Sequence, residues 1–186
     1  MKTIGILALQ GDYDAHSRCL QELGAEVRLV RKAEELEGIS ALVLPGGESG
    51  TMLNFLQRDN FWEKLRAFAR NKPCFGTCAG AILLAAEVEN PAQPCLGALD
   101  IGIRRNAYGR QLQSAIRETE STLGGDPLEL VFIRAPRIIR TGPDVEVLAR
   151  FENDPVWVSQ GLLMATTFHP ELSQDRRIHA EFLRRA

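Results

Sequence analysis

The sequence has no Cys-x-x-Cys pair, no internal repeat and no low-complexity linker. Its longest apolar runs fall far short of the roughly 20 residues that span a bilayer. It also lacks an excess of positive charge. Lys and Arg number 22 against 24 Asp and Glu, for a net charge of −2. Nothing therefore supplies the field that nucleic acid or an anionic membrane favours. The three histidines stand at no zinc-finger spacing from the four cysteines, which argues against a structural metal. The start, Met1-Lys2-Thr3-Ile4, runs straight into a strand-like segment, without the long apolar core or small-residue cleavage site of an export signal. The expected location is the cytoplasm.

What is present is ordinary globular material. Of 186 residues, 45% are hydrophobic and 25% charged, which excludes an intrinsically disordered chain. That length fits one domain over residues 1–186 and a single sizeable core. Such a core needs no disulfide frame. Cys19, Cys74, Cys78 and Cys95 are thus core fillers or, in one case, a nucleophile.

Thr3 to Leu9 is a short apolar run closed by Gln10-Gly11, as expected of a strand buried on both faces. Ala15, Cys19, Leu20 and Leu23 are spaced for one face of a helix, which Gly24 ends. Strands are expected at Glu26–Val30 and at Ile39–Leu44, the latter stopping at Pro45-Gly46-Gly47. Helical patterns follow through Met52, Leu53, Phe55 and Leu56, and over Phe61–Arg70. Pro73–Thr77 reads as a strand and Ala79–Glu87 as a helix. After Asn90, glycine and proline become frequent. Short strand-like pieces then stand at Ile101–Ile103, Leu130–Ile133, Val145–Leu148 and Leu162–Phe168, before a closing helix over Arg176–Arg185. Alternating strand and helix argue for right-handed β-α-β units. The expected fold is a three-layer, flavodoxin-like α/β domain: a mostly parallel sheet flanked by helices, with some antiparallel strands in the second half.

In such sheets ligands sit beyond the C-terminal ends of the strands. Three features fall there. Gly76-Thr77-Cys78-Ala79-Gly80 has the form Gly-x-nucleophile-x-Gly between a strand and a helix, the thiol version of a nucleophile elbow. The tight turn needs small residues two before and two after the nucleophile. A helix N-terminus favours the Cys78 thiolate, and the Ala79 N–H is a candidate oxyanion donor. The other three cysteines read as structural: Cys19 on a helix core face, Cys74 in a strand, Cys95 in a Pro-rich loop. The second feature is Phe168-His169-Pro170-Glu171. In an extended segment, His169 and Glu171 leave on the same side, so Glu171 is placed to orient the imidazole that serves Cys78. Alternatively, His169 caps a strand end and Glu171 opens the last helix. His16 and His179 sit on helix patterns with no such neighbour. The third is Pro45-Gly46-Gly47-Glu48-Ser49, a turn with exposed N–H groups that can supply a second oxyanion donor or serve only as a capped strand-to-helix turn.

Gly76–Gly80 together with His169-Pro170-Glu171 resembles the class I (triad) glutamine amidotransferases. Four further segments are similar to the glutaminase-subunit family of pyridoxal 5′-phosphate synthase: Leu9-Gln10-Gly11, Leu44–Ser49, Arg105–Gln111 and Phe132–Pro136. The resemblance runs in order along essentially the whole chain. Gly50 departs from the Thr or Ser expected after Glu48-Ser49.

The resemblance implies hydrolysis of L-glutamine to L-glutamate and ammonia through a Cys78 thioester, with His169 moving the protons and Glu171 orienting it. It implies an oxyanion hole at Gly47 and Ala79, and a glutamine pocket of Gly46, Gly47, Glu48, Arg105, Ile133 and Arg134. It implies no cofactor and no metal, but it does imply a synthase subunit as partner in a hetero-oligomeric complex that makes pyridoxal 5′-phosphate. Gln10 is expected to help switch the oxyanion hole on when that partner docks. The alternatives are a triad glutaminase serving histidine or purine synthesis, a cysteine hydrolase or chaperone with a similar elbow, and a binding module with a structural Cys78.

Overall fold

Strand β1 (Thr3–Leu7) is apolar and buried on both faces. Ile4 and Ile6 pack into one hydrophobic cluster and Leu7 into another. The same alternation splits β3 (Ala41–Leu44): Ala41 and Val43 go one way, Leu42 and Leu44 the other. A period of two on a sheet covered on both sides requires this. The chain is seen in a computed structural model that describes residues 2–105, 107 and 114–186. Between and after these strands come α1 (Tyr13–Glu22), β2 (Glu26–Val30), α2 (Ser49–Leu56), α3 (Phe61–Asn71), β4 (Cys74–Thr77), α4 (Ala79–Leu84), β5 (Ala85–Glu89) and β6 (Leu99–Arg104). The second half adds β7 (Ser114–Thr119), β8 (Leu128–Ile133), β9 (Arg137–Thr141), β10 (Glu146–Phe151), β11 (Asp154–Gln160), β12 (Leu163–Thr166) and α5 (Arg177–Arg185).

The main sheet has seven strands in the order β10-β11-β12-β4-β3-β1-β2. The pairs β12–β4, β4–β3, β3–β1 and β1–β2 are parallel, and β11 is antiparallel to both of its neighbours. One face is covered by residues of α2, α3 and α4, including Met52, Leu56, Leu65 and Leu83. The other is covered by Leu20 of α1, Ile178 and Phe182 of α5, and Leu128, Leu130 and Phe132 of β8. Each such side chain contributes roughly 1.5–3 kcal/mol by leaving water. The expected three layers are present. A three-stranded sheet, β5-β6-β9, and the β7–β8 pair lie outside the main sheet. Among the described residues no helix is long and apolar enough to cross a membrane.

Four adjacent parallel strands end on the same edge, and this edge positions the site. β1 leads to Gln10-Gly11-Asp12, β3 to Pro45–Glu48, β4 to Cys78, and β12 to Thr167-Phe168-His169. β12 and β4 run in register, Thr166 opposite Thr77, and the Cys78 N–H donates to the Thr166 carbonyl at 2.9 Å.

Some expected boundaries move. The helix read to Glu87 stops at Leu84, and Ala85–Glu89 is strand β5, paired with β6. Alanine and glutamate favour helix, but the pairing overrides that weak preference. The strand read over Leu162–Phe168 narrows to Leu163–Thr166 because Gly161 (φ 57°) and Leu162 form a turn before it. Strands β7, β9 and β11 carried no clear sequence signal. β7 is largely polar and exposed, and β11 contains Pro155 near its start. Of the segment Arg105–Gln111, only Arg105 and Ala107 fall within the described residues.

Candidate active site

Cys78 joins β4 to α4 with φ 47° and ψ −101°, a backbone conformation that side-chain-bearing residues seldom adopt. Holding it costs about 1–3 kcal/mol, which the surrounding packing must supply. The flanking glycines show why the turn can form. A β-carbon on Gly76 would fall 2.6 Å from the Gly80 backbone, and one on Gly80 would fall 1.9 Å from the Leu44 carbonyl oxygen. Both positions require a missing side chain, as the elbow reading expected. Ala79 is buried as the first residue of α4.

His169 lies three residues past β12, and its N–H donates to the Val131 carbonyl of β8 at 2.9 Å. The segment after it is not extended, contrary to expectation. Pro170–Leu172 forms a single 3-10 turn, distinct from α5. That turn still brings the pair together, because His169 Nδ1–H donates to Glu171 Oε1 at 2.7 Å. Both residues are buried. Nδ1 is thereby committed to Glu171, leaving Nε2 for other work. Burial opposes a charge on His169, but Cys78 on one side and Glu171 on the other outweigh it and push the pKa up to about 10. Burial also opposes the Glu171 carboxylate. The surrounding imidazoles, with His169 also donating a hydrogen bond to it, prevail and hold it below the ordinary carboxyl range.

Cys78 and His169 open onto a cleft of about 250 Å³. Gly47, Glu48, Arg105, Ile133 and Arg134 line it with them. Gly46 does not line the cleft; it lies against the His169 ring. Cys78 Sγ is 4.0 Å from the Ile133 carbonyl oxygen, and Arg134 has a left-handed φ of 44°. Arg105 Nη2 pairs with Glu48 Oε1 at 3.3 Å. Glu48 also caps α2, where its Oε2 accepts from the Thr51 N–H at 2.9 Å. That bond leads the causes that keep its carboxyl low, and Arg105 adds to them.

The chain matches the model of the SNO glutamine amidotransferase family over residues 6–186. The chain belongs to that family. It is 59% identical over 181 residues to a protein named pyridoxal 5′-phosphate synthase subunit PdxT from Koribacter versatilis (strain Ellin345), covering 97% of this chain and 94% of the relative. It is 48% identical over 189 residues to the protein of the same name from Solibacter usitatus (strain Ellin6076), covering 98% of each. A crystal structure described as a glutamine amidotransferase superposes with a TM-score of 0.91 at 45% identity, covering 98% of this chain and 97% of the other. The structure of PurLQS from Thermotoga maritima matches with a TM-score of 0.66 at 14% identity over 98% and 97% of the chains, which shows a shared fold alone.

In this member of the family, three further cleft residues come from the end of β1: Gln10, Gly11 and Asp12. Gln10 Oε1 accepts from the Glu48 N–H at 2.7 Å, and Asp12 Oδ2 stands 3.5 Å from His169 Nδ1. The place of Gln10-Gly11-Asp12 after a parallel strand was the signal for all three. The reading of His16 as a histidine without a carboxylate neighbour is overturned, and His179 joins it through His16. His16 Nε2 lies 3.3 Å from Glu171 Oε2, and His16 Nδ1 lies 3.0 Å from His179 Nε2. No spacing reveals this, since α1 and α5 meet only through the fold.

Proposed function

We propose that Cys78, His169 and Glu171 hydrolyse the side-chain amide of L-glutamine to L-glutamate and ammonia. The reading rests on one observation. A buried His169, bonded at 2.7 Å to Glu171, contacts Cys78 in a cleft that also holds a carboxylate and guanidinium groups. Cys78 Sγ attacks the amide carbon as its proton passes to His169. Protonated His169 gives its proton to the departing nitrogen, which leaves as ammonia, and a γ-glutamyl thioester remains. Neutral His169 then takes a proton from water as its oxygen attacks the thioester, and passes it to the departing Cys78 Sγ as glutamate is released. Glu171 keeps the imidazole in place throughout. The N–H groups of Gly47 and Ala79 hold the oxyanion.

Free glutamine carries an ammonium and a carboxylate. Glu48 suits the first, and Arg105 or Arg134 the second. Glu48 and Arg105 are paired at the cleft, so the zwitterion binds by exchanging one ion pair for two. Gly47 and Ile133 complete the walls, and Gly46 backs the His169 ring. The whole of 1–186 serves as one amidotransferase domain.

Free ammonia diffuses away, so its release must be coupled to its use. The partner is the synthase subunit of pyridoxal 5′-phosphate synthase, in a hetero-oligomeric complex in the cytoplasm. This pathway is favoured by the 59% and 48% identical relatives that carry its name, whereas the likeness to PurLQS stops at 14% identity. The test is to mix the chain with candidate synthases and measure glutamate release, and to treat it with a glutamine-mimicking electrophile. The expected results are stimulation by the pyridoxal 5′-phosphate synthase subunit and a single adduct on Cys78. No adduct on Cys78, with or without partner, refutes the glutaminase reading.

A further inference from the structure

His16 of α1 and His179 of α5 do no chemistry in the scheme above, yet both are completely buried and both are tied to it. His16 Nδ1 and His179 Nε2 are 3.0 Å apart. His16 Nε2 has two oxygens near it: Thr77 Oγ1 at 3.1 Å, with which it forms a hydrogen bond, and Glu171 Oε2 at 3.3 Å. Thr77 is the residue before the nucleophile. Glu171 Oε1 is already taken by His169, while Oε2 is buried and accepts no hydrogen bond among the described residues.

A buried carboxylate oxygen without a donor is costly and free to turn. The atom facing it therefore matters. Neutral imidazole carries its proton on one nitrogen only. With the proton on Nδ1, His16 would aim a lone pair at a carboxylate. With the proton on Nε2, it donates to Thr77 Oγ1 and places that N–H 3.3 Å from the carboxylate oxygen, and its Nδ1 accepts from His179 Nε2–H. Either tautomer satisfies Thr77 and His179, but only the second puts a proton rather than a lone pair beside Oε2. Burial lowers the pKa of His16, and lowers that of His179 to about 3, so neither group carries its own charge into this pair at neutral pH. The α1 helix grips the same residue a second time, through Cys19 Sγ at 3.7 Å from the Glu171 carbonyl oxygen.

Building on the glutaminase reading, we infer that His16 is a positioning residue for the reaction. Its Nε2–H, held by Thr77 Oγ1, steadies Glu171 Oε2 electrostatically from 3.3 Å so that Oε1 stays on His169, and His179 accommodates the His16 tautomer that allows this. One imidazole thereby links the turn bearing Cys78 to the carboxylate that orients His169.

The test compares the full chain with His16→Leu and His16→Gln, each assayed for glutamate release with its synthase partner. A glutamine amide nitrogen reaches the position of imidazole Nε2, so it restores the donor without the ring. His16→Leu is expected to lower kcat about 10-fold or more, as loss of a group that orients a reacting residue does. KM should stay within about two-fold, because His16 does not touch the cleft. His16→Gln should recover most of the loss. Wild-type kcat in the leucine variant, or equal impairment of both variants, overturns the inference. Should either variant fail to fold, nitrogen-15 NMR of the wild-type chain decides. A proton on His16 Nε2 supports the inference, and a proton on Nδ1 overturns it. The NMR result does not depend on turnover, and the Cys78 adduct does not depend on His16, so failure here is distinguishable from failure of the glutaminase reading.

Discussion

Gly46 lies so close against His169 that a β-carbon on it would stand 2.3 Å from the ring Cε1 and 2.8 Å from Nδ1. The glycine is not in the left-handed region, so alanine suits its backbone and conflicts only with the imidazole. Gly46→Ala is expected to push the ring out of line while the sheet stays intact. A misplacement of about 1 Å costs about 10²-fold in rate. Glutamate release should fall by that order, and the thermal midpoint should move little. Near-normal turnover would show that the ring tolerates displacement.

Cys78→Ala should abolish glutamine hydrolysis, because the sulfur that forms the thioester is gone. Its fold should survive. Cys78→Gly should be just as inactive yet more stable than the alanine variant, since only glycine adopts φ 47°, ψ −101° without strain. The difference should be about 1 kcal/mol, or roughly 2–4 °C in the thermal midpoint for a chain of this size. Calorimetry on the two variants checks it. An alanine variant as stable as the glycine one would mean the elbow stores no strain.

The elbow was readable because its glycines are demanded locally: Gly76 and Gly80 face backbone at distances no β-carbon can occupy. The layered fold was readable because strands such as Thr3–Leu7 are apolar on both faces. The position of Glu171 was readable but its conformation was not, since a 3-10 turn and an extended pair can deliver the same contact. What stayed hidden depends on long-range pairing. Ala85–Glu89 becomes a strand only beside Leu99–Arg104. His16 and His179 are 163 positions apart and meet only because α1 and α5 pack on one sheet face.

Gln10 packs on the turn that the oxyanion reading invokes. Its Oε1 accepts the Glu48 N–H at 2.7 Å, and a β-carbon on Gly47 would meet the same oxygen at 2.4 Å. Gln10→Ala removes the acceptor and leaves the Gly47-Glu48 backbone less constrained. Loss of one preorganised contact next to an oxyanion donor is expected to cost about 10-fold or more in partner-stimulated glutamate release. Binding of the partner should be retained. Equal stimulation of Gln10→Ala and wild type would remove Gln10 from the switch.

The buried histidines make stability depend on pH with opposite signs on the two sides of neutrality. In the unfolded chain each takes up a proton near pH 6.5. Burial lowers the folded-state pKa of His16, where the facing groups are Glu171, His169 and Asp12. Burial takes His179 to about 3 beside His16, Glu171, Arg176 and Asp175. Between pH 6.5 and 3 the unfolded state thus binds more protons, and stability falls as pH falls. Glu171, held low, adds to the loss below about pH 4.5. His169 acts the other way. Its pKa of about 10 gives stability that is fully present below pH 6.5 and lost as pH rises to 10. Each full proton is worth about 1.4 kcal/mol per pH unit. Urea unfolding at pH 5, 6.5 and 9 should therefore show the greatest stability at the middle value. His179→Phe should flatten the acid limb and His169→Asn the alkaline limb, judged by slope rather than by absolute stability. An acid limb unchanged in His179→Phe would mean that the buried pair takes up protons without unfolding, and that the neutral state assigned to it is wrong.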